Sequence, residues 1–318
     1  MSVFSGKTLL ITGGTGSFGT AAVERFISSD VGEIRILSWD AGKQELMKER
    51  FHSSKLTFIA GDISKADVCR RAVDGVDYIF HSAAMKDIPG CEKDPLAAVR
   101  TNVLGTATLL EAAVEAGVEA IVCLSTDKAA YPANVMGNTK AIAERIAVNL
   151  SGGSTRIMCT RFGNVLCSQG SVVPLWLRQI SEGKAVTVTN PDMTRFIMTL
   201  RDAMELVLYA FENGRSGDIL VQKSPACTIG LQAQAVCEMA GGSGVTVIGP
   251  RPGEKLYETL LTKEEGAKAQ DMGGFFRIPA VKDHAGAPLS EYNSHNAPRM
   301  TLPEITAKIS EALALNQV

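Results

Sequence analysis

KTLLITGGTGSFG, residues 7–19, decides the fold of this chain. The stretch begins as a short apolar β-strand, passes into glycines spaced G-x-x-G-x-x-G, and continues with helical periodicity. Glycine permits a tight turn and a close approach to a pyrophosphate, and the start of the next helix offers free N–H groups. An ordinary glycine-rich turn is the alternative, but the strand–turn–helix context favours a dinucleotide site. Its predicted residues are Gly13, Thr15, Gly16, Ser17, Phe18 and Gly19.

Strands and helices alternate from this turn to about residue 165. The later strands are predicted at Ile34–Ser38, Leu56–Ala60, Asp77–His81, Ala120–Leu124 and Arg156–Thr160. Continuous apolar strands are typical of a parallel sheet that helices cover on both faces. The sequence therefore predicts an α/β fold, with a Rossmann-like doubly wound parallel sheet and a smaller C-terminal α/β substrate-binding region. We expect the NAD(P)-binding domain at 1–165 and the second region, interleaved with it, at 166–318.

The composition excludes several classes of protein. The chain has 318 residues, of which 45% are hydrophobic and 21% charged, as in a globular protein with a large core. The 32 Lys+Arg and 34 Asp+Glu leave a net charge of -2, so the basic excess of nucleic-acid binding is missing. Seven cysteines without C-x-x-C spacing and four scattered histidines predict reduced thiols and no metal. Without a signal peptide or a long apolar run, we predict a cytoplasmic protein that does not bind membranes.

The end of the second predicted strand bears on the choice between NAD and NADP. An acidic residue there would bind the ribose hydroxyls, and a cation would pair with a 2′-phosphate. Asp40 and Lys43 are both present, so either cofactor remains open, and Trp39 is a candidate to stack on the adenine. Further cofactor-binding residues are predicted after the third and fourth strands: Asp62, Ile63, Ala83 and Ala84.

An acid and a base stand side by side after the fifth strand. Asp127 and Lys128 lie in the segment STDKAAYP, residues 125–132. Ligands of open α/β sheets bind at the carboxyl ends of the strands, so this pair is a candidate for acid–base chemistry. An isolated Asp-Lys pair is more often a surface ion pair; its position beside the expected nicotinamide favours catalysis.

With these motifs the chain resembles the extended short-chain dehydrogenase/reductase superfamily. Within it, the chain is similar to the nucleotide-sugar 4,6-dehydratases of capsule synthesis that act on UDP-N-acetylglucosamine and invert C5. The resemblance spans nearly the whole chain. It also rests on a Met-x-x-x-Lys motif and on RFGNV (161–165), PDMTRF (191–196), RPGEKLYETLL (251–261) and YNS (292–294).

The resemblance implies a division of labour in the site. Most of the superfamily has Tyr-x-x-x-Lys, where the lysine holds the nicotinamide ribose and the tyrosine transfers a proton. Here Met136 and Lys140 occupy these positions, and methionine cannot transfer a proton. The capsule-type enzymes share this methionine. Lys128, as the free amine, would remove H5 of a 4-keto sugar, and Asp127 would protonate the departing 6-hydroxyl. Thr126 completes the predicted catalytic set.

Other expectations also come from the resemblance. It favours NADP, with NAD as the alternative, and the long helices at 95–116 and 135–150 are placed as in homo-oligomers of the superfamily. Larger relatives carry a membrane-spanning N-terminal region that is absent here. Lys86 has a supporting role near the sugar, although a solvated loop lysine would look the same. Predicted substrate-binding residues are Lys86, Ser125, Asn164, Arg195, Arg251 and Glu254.

Two other functions compete with the dehydratase. A nucleotide-sugar 4-epimerase would use a proton shuttle at O4 but would need no acid for the 6-hydroxyl. A non-catalytic dinucleotide-binding regulator would explain Met136, but it would not need Lys140, Arg195 and Arg251 together.

Overall fold

The computed structural model describes residues 2–242, 244–251, 253–281, 283 and 286–316. The first half contains β1 (Thr8–Thr12), α1 (Ser17–Ile27), β2 (Glu33–Ser38), α2 (Ala41–Phe51), β3 (Leu56–Ala60), α3 (Ala66–Val73), β4 (Tyr78–His81), α4 (Ile88–Lys93), α5 (Pro95–Ala98), α6 (Thr106–Glu115), β5 (Ala120–Thr126), α7 (Val135–Asn149) and β6 (Arg156–Phe162). A π-helical segment, Val99–Gly105, joins α5 to α6. The long helix predicted at 95–116 is therefore helical throughout but wider in its middle.

Shorter elements follow in the second half. They are β7 (Asn164–Val165), α8 (Val172–Ser181), β8 (Val186–Val188), β9 (Thr194–Met198), α9 (Leu200–Asn213), β10 (Ile219–Gln222), β11 (Ala226–Thr228), α10 (Ile229–Ala240), β12 (Val245–Val247), β13 (Thr259–Leu261), α11 (Lys263–Gly266), β14 (Gln270–Asp271), β15 (Phe275–Ile278), β16 (Tyr292–Asn293) and α12 (Leu302–Asn316). None of the helices in the described part of the chain has both the length and the apolar character of a membrane span.

One large sheet organises the molecule. Its nine strands run in the order β14-β15-β10-β6-β5-β4-β1-β2-β3. Seven neighbouring strands of this sheet are parallel: β3, β2, β1, β4, β5, β6 and β10. Beyond β10, the strands β15 and β14 form an antiparallel edge. The predicted doubly wound parallel sheet is confirmed. Since β1 lies between β2 and β4, the chain reverses its direction across the sheet there, and a crevice opens at the carboxyl ends of these strands.

Apolar residues of the strands point alternately to the two faces of the sheet. Leu10 packs with Ile79 and Leu109 on one face, whereas Leu9 and Ile11 pack into the cluster on the other. This alternation follows from the two-residue period of a strand. A third apolar cluster in the second half is centred on α8, α10 and α12. Helices therefore cover both faces, and the sheet edge above β1, β4 and β5 remains for ligands.

Candidate active site

Two glycines of the turn after β1, Gly13 and Gly19, have no room for a side chain. Gly13 has φ +64°, and a Cβ there would lie 2.7 Å from the Cα of Ala83. A Cβ on Gly19 would lie 2.3 Å from the Cα of Gly14. Gly16, the N-cap of α1, makes no side-chain capping bond. The turn thus leaves a cradle at the start of a helix, and this cradle fits a pyrophosphate group.

Thr15, Gly16 and Ser17 border a cavity of about 200 Å³. Its other walls come from the side of α1, from Arg50 and Gln169, and from Leu200 and Leu315. The ring of Phe18 instead lies 5.8 Å from the ring of Phe162, so this predicted cofactor residue has its backbone to offer to a ligand. The cavity beside the turn therefore runs along α1, and the dinucleotide site at the turn stays a prediction.

Opposite charges meet at the end of β2. Asp40 caps α2 by accepting a 3.0 Å hydrogen bond from the N–H of Lys43. The ammonium of Lys43 lies 3.7 Å from Oδ2 of the same carboxylate. Trp39 is 80% exposed. An adenosine bound here would contact the Asp40–Lys43 ion pair, whose charges offset each other, and the exposed indole of Trp39.

Two further strand ends border the crevice. Oδ1 of Asp62 accepts the N–H of Ser64 at 2.8 Å, which closes a turn after β3. Ile63 is buried in the core, so it presents its backbone rather than its side chain. After β4, Ala83 contacts the glycine turn closely and Ala84 is half-buried. Small residues at these ends leave space for an extended ligand.

The Asp127–Lys128 pair lies in a 3₁₀ turn, Asp127–Ala129, directly after β5. Asp127 is completely buried, and its Oδ1 accepts hydrogen bonds from Oγ1 of Thr126 at 2.9 Å and Nζ of Lys128 at 3.0 Å. Among the described residues, its Oδ2 has no hydrogen-bond partner. A Cβ on Gly137 would lie 2.4 Å from the carbonyl oxygen of Lys128, so α7 packs tightly against the turn. The pair is fixed in place, with one acceptor atom unused.

Lys128 also contacts residues from the second half of the chain. Its Nζ donates to Oδ1 of Asn164 at 3.3 Å and lies 3.6 Å from Oε1 of Glu258. Burial lowers the pKa of this amine, but Asp127 and Glu258 offset that effect, and the pKa is raised above its ordinary value. The free amine predicted from the sequence is therefore not the form that these surroundings favour. Asp127 and Glu258 both stabilise the charged form of Lys128.

The sequence reasoning missed Glu258. Its side chain is 4% exposed, and its Oε2 lies 3.5 Å from Nζ of Lys255. This Oε2 has no hydrogen-bond partner in the described part of the chain. The signal was a glutamate inside the partly apolar run YETLL, residues 257–261, where a charged residue requires a buried partner.

Met136 and Lys140 lie one turn apart on α7, but they have different surroundings. Met136 is buried beside Cys91 and Ala98. Nζ of Lys140 donates a 2.5 Å hydrogen bond to the carbonyl of Leu124 on β5. Burial lowers the pKa of this amine. Proton transfer by a side chain at position 136 is excluded, whereas Lys140 is held at the sheet edge where the ribose is expected.

Ser125 points away from Lys128. Its hydroxyl donates at 2.5 Å to Glu144, a carboxylate that also accepts from Arg161. Its single proton is therefore used within the protein, whereas the sequence predicted Ser125 as a substrate-binding residue. Thr126, the next residue, has turned its hydroxyl to Asp127 instead.

Arg195 is a buried arginine without a carboxylate among the described residues. Its two terminal nitrogens donate to the carbonyl of Thr194 and to the sulfur of Met193. Its positive charge acts on the pKa of Lys128, which places it at the same site. A buried guanidinium without an anion is suited to an anionic ligand.

The remaining predicted substrate residues lie on loops. The exposed Lys86 donates at 2.8 Å to the carbonyl of Gln169. The exposed Arg251 donates its backbone N–H to Glu254 at 2.9 Å, and the two close a turn. Pro252, between them, lies outside the described residues. The structure thus brings Asp127, Lys128, Asn164 and Arg195 together and leaves Lys86 and the turn at 251–254 at the surface.

Comparisons with known proteins agree with this architecture. Residues 9–280 match the family described as polysaccharide biosynthesis protein. A Rickettsia prowazekii protein named UDP-glucose 4-epimerase is 47% identical over 95% of both chains. The X-ray structure of Pen from Bacillus thuringiensis is 33% identical, with a TM-score of 0.92 over 100% of this chain and 99% of that one.

A more distant structure shares the fold. DesIV, a dTDP-glucose 4,6-dehydratase from Streptomyces venezuelae solved with NAD and TYD bound, is 23% identical, with a TM-score of 0.72 over 78% of this chain and 86% of its own. The resemblance found in the sequence is confirmed at the level of the fold and the broad family. From the match over residues 9–280 and the close relatives, we conclude that the chain belongs to the polysaccharide biosynthesis protein family.

Proposed function

We propose that this protein is a UDP-N-acetylglucosamine 4,6-dehydratase that inverts C5 and makes a UDP-4-keto-6-deoxy-HexNAc for surface glycans. The observation that carries the proposal is the buried Asp127–Lys128 pair, in hydrogen-bond contact at the end of β5 and with one carboxylate oxygen unused. Elimination of water needs an acid and a base on the same substrate. Met136 adds to the argument, because the usual tyrosine of the superfamily is replaced.

The cofactor that we propose is NADP, with NAD as the alternative. The glycine cradle at Gly13, Gly16 and Gly19 would hold the pyrophosphate, and Lys140 would bind the nicotinamide ribose. When bound, the nicotinamide would accept a hydride from C4 of the sugar and return it to C6. The NAD bound in DesIV supports a dinucleotide on this fold, and the family resemblance favours the 2′-phosphate.

The protons can be followed through the pair itself. We take the proton between Asp127 and Lys128 to start on the amine, because the surroundings raise the pKa of Lys128. Moving it across 3.0 Å to the carboxylate yields a neutral amine and a neutral acid. The amine then removes H5, which the 4-keto group acidifies, and the acid protonates the 6-hydroxyl as it leaves as water. This elimination leaves the pair as ammonium and carboxylate, as at the start. When the hydride returns to C6, a proton from water adds to C5 from the opposite face, which inverts C5, and it balances the proton that O4 loses to water when C4 is oxidised.

Arg195 supports a nucleotide diphosphate as the remote part of the substrate. The guanidinium is buried next to Lys128 and has no carboxylate partner among the described residues, so a diphosphate would supply the missing anion. Asn164 would share the sugar end of the site, because it already contacts Lys128. Lys86, Arg251 and Glu254 would complete the site from its surface loops.

A nucleotide-sugar 4-epimerase is the second candidate, because close relatives carry the name UDP-glucose 4-epimerase. Incubation with UDP-N-acetylglucosamine and with UDP-glucose, read by mass spectrometry and NMR, separates the two. A product lighter by one water supports the dehydratase. An isobaric product that differs at C4 replaces it with the epimerase. If neither substrate changes although a dinucleotide binds, the protein is a regulator.

We also propose a homo-oligomer. Three large apolar residues are exposed on the helices that the resemblance assigns to a subunit interface: Leu96 at 65%, Leu104 at 54% and Ile142 at 46%. They lie on α5, the π-helical segment and α7. Exposed apolar patches on helices are typical of subunit contacts. Light scattering of the purified protein measures the mass directly, and a monomeric mass would contradict the proposal.

A further inference from the structure

Glu258 reaches the Asp127–Lys128 pair from a distant part of the chain, and a rigid scaffold holds it there. Its backbone N–H donates to Oγ of Ser294 at 3.0 Å, and its carbonyl accepts the N–H of Ser294 at 2.8 Å. Oγ of Ser294 is in turn hydrogen-bonded to Oγ1 of Thr194 at 2.7 Å. The carboxylate that faces Lys128 is therefore fixed by the pairing of β13 with β16.

This carboxylate has no evident role in the stability of the fold. It is buried, its Oε2 has no hydrogen-bond partner among the described residues, and its two cations lie at 3.5 and 3.6 Å. A buried carboxylate that is only partly satisfied costs free energy. Such a group is expected where its charge acts on a neighbouring functional group.

We propose that Glu258 is a positioning residue: its buried carboxylate holds the Lys128 ammonium against Asp127 and so controls when the pair releases its shared proton. The inference rests on the proposed function, because the catalytic use of that proton is part of the proposed dehydration. Glu258 is not assigned a contact with the sugar, and it acts through Lys128.

The charges around Lys128 determine the sign of the effect. Asp127 and Glu258 stabilise the ammonium, and Arg195 opposes it from β9. Lys255 lies on the far side of Glu258 and offsets part of its charge, while Asn164 is neutral. Removing the charge of Glu258 must therefore lower the pKa of Lys128. The amine then loses the shared proton at a lower pH, and the alkaline limb of the pH–rate profile moves in the same direction.

Glu258→Gln tests this with the matched controls Glu258→Asp and Lys255→Met. Trace labelling with acetic anhydride over a pH series, read on the Lys128 peptide by mass spectrometry, gives the titration midpoint of this amine without any substrate. We expect Glu258→Gln to lower that midpoint by about one pH unit or more, as for the loss of an opposite charge at this distance. Glu258→Asp should stay nearer the wild type, and Lys255→Met should leave the midpoint unchanged or raise it.

The outcomes separate this inference from the proposed function. A lower midpoint in Glu258→Gln, with the alkaline limb of turnover shifted likewise, supports the positioning role. If the midpoint of Lys128 does not move in Glu258→Gln, the positioning role is overturned. This holds even when activity falls, because an equal loss of activity at every pH indicates a structural role. Should the wild type release no water from UDP-N-acetylglucosamine, the proposed function fails, while the labelling still decides whether Glu258 controls Lys128.

Discussion

Two buried clusters of charge lie side by side at the carboxyl ends of β5 and β6, and they differ in how completely they are paired. In the first, Arg161 donates all five of its N–H groups. Two carboxylates, those of Glu144 and Glu265, and the carbonyl of Leu260 accept them. In the second, around Lys128, Asp127 Oδ2 and Glu258 Oε2 lack hydrogen-bond partners in the described residues. Arg195 beside it has no carboxylate.

This difference separates structural charge from functional charge. The Arg161 guanidinium has no donor left for a ligand, and it ties β6 to α7 and to α11. The Lys128 cluster has unused acceptors and an unpaired guanidinium, which a ligand with hydroxyl and phosphate groups would satisfy. Unsatisfied hydrogen-bond donors and acceptors are thus a better guide to a candidate functional site than the burial of ionisable residues alone.

The largest effect is expected from Lys128→Met. With no base beside the substrate, exchange of H5 with solvent deuterium and release of water should both fall by more than about 10⁴-fold. Both are followed by NMR under saturating UDP-N-acetylglucosamine, and retained binding of UDP shows that the site is still folded. Met136→Ala is the control and should lose far less activity, because methionine has no proton to give. A dead Met136→Ala beside a normal Lys128→Met would move the active centre to the Met136 face of α7.

Asp127→Asn should have a smaller and more selective effect. Water loss should slow by roughly 10²–10⁴-fold, the usual contribution of a placed general acid. Ligand and cofactor binding should persist, because the amide keeps the shape of the carboxyl group. Exchange of H5 can continue, since the ketone forms without the acid and the loss of the Asp127 charge lowers the pKa of Lys128, so that the amine can give its proton to water instead. Equal losses of exchange and water release would show that the two residues do not divide the work.

Arg161→Met tests the saturated cluster through stability. Its removal leaves Glu144 and Glu265 buried without their cation, so the free energy of unfolding should fall by about 3–5 kcal/mol. Urea unfolding at neutral pH measures this. Burial raises the pKa of Glu265, but Arg161 more than offsets the effect and holds it below its ordinary value. Wild-type stability should therefore decline as the pH falls through that low pKa, and the variant should lack this part of the acid dependence.

Arg195→Leu is the matched change in the unsaturated cluster and should have the smallest effect on folding. No carboxylate loses its partner, so the free energy of unfolding should change by no more than about 1 kcal/mol. Binding of the nucleotide sugar should weaken by roughly 10-fold or more, the loss of a charge-assisted contact. Calorimetry with UDP measures the binding. A large loss of stability with unchanged affinity would place Arg195 with Arg161 as a structural residue.

Most of the sheet could be predicted because its strands are apolar on both faces. The run AIVCL, residues 120–124, is recognisable as a buried strand from its composition alone. β15 was not predicted. Its Arg277 interrupts the apolar pattern and is buried only because Asp218, far away in sequence, accepts its Nε–H at 2.8 Å. Local patterning carries no information about such a partner.

The residues of the candidate site also differ in whether local sequence could predict them. The glycine turn and the Asp127–Lys128 dipeptide are local, and their sequence context was sufficient to find them. Glu258 meets Lys128 only through tertiary packing, and together with Asp127 it raises the pKa of the amine above its ordinary value. Ser125 was predicted as a substrate-binding residue with the family resemblance, but successive residues of a strand point to opposite faces, and its hydroxyl contacts Glu144.

The order of strands in the large sheet has a consequence for the synthesis of the protein. β6 is covered by β10, and β10 by β15, so the central sheet has a bare edge until residues 219–222 and 275–278 have left the ribosome. An unpaired, largely apolar strand is a template for wrong pairing with other chains. The nascent chain therefore exposes this edge while the second half is still being translated, and wrong pairing between chains is to be expected in that interval.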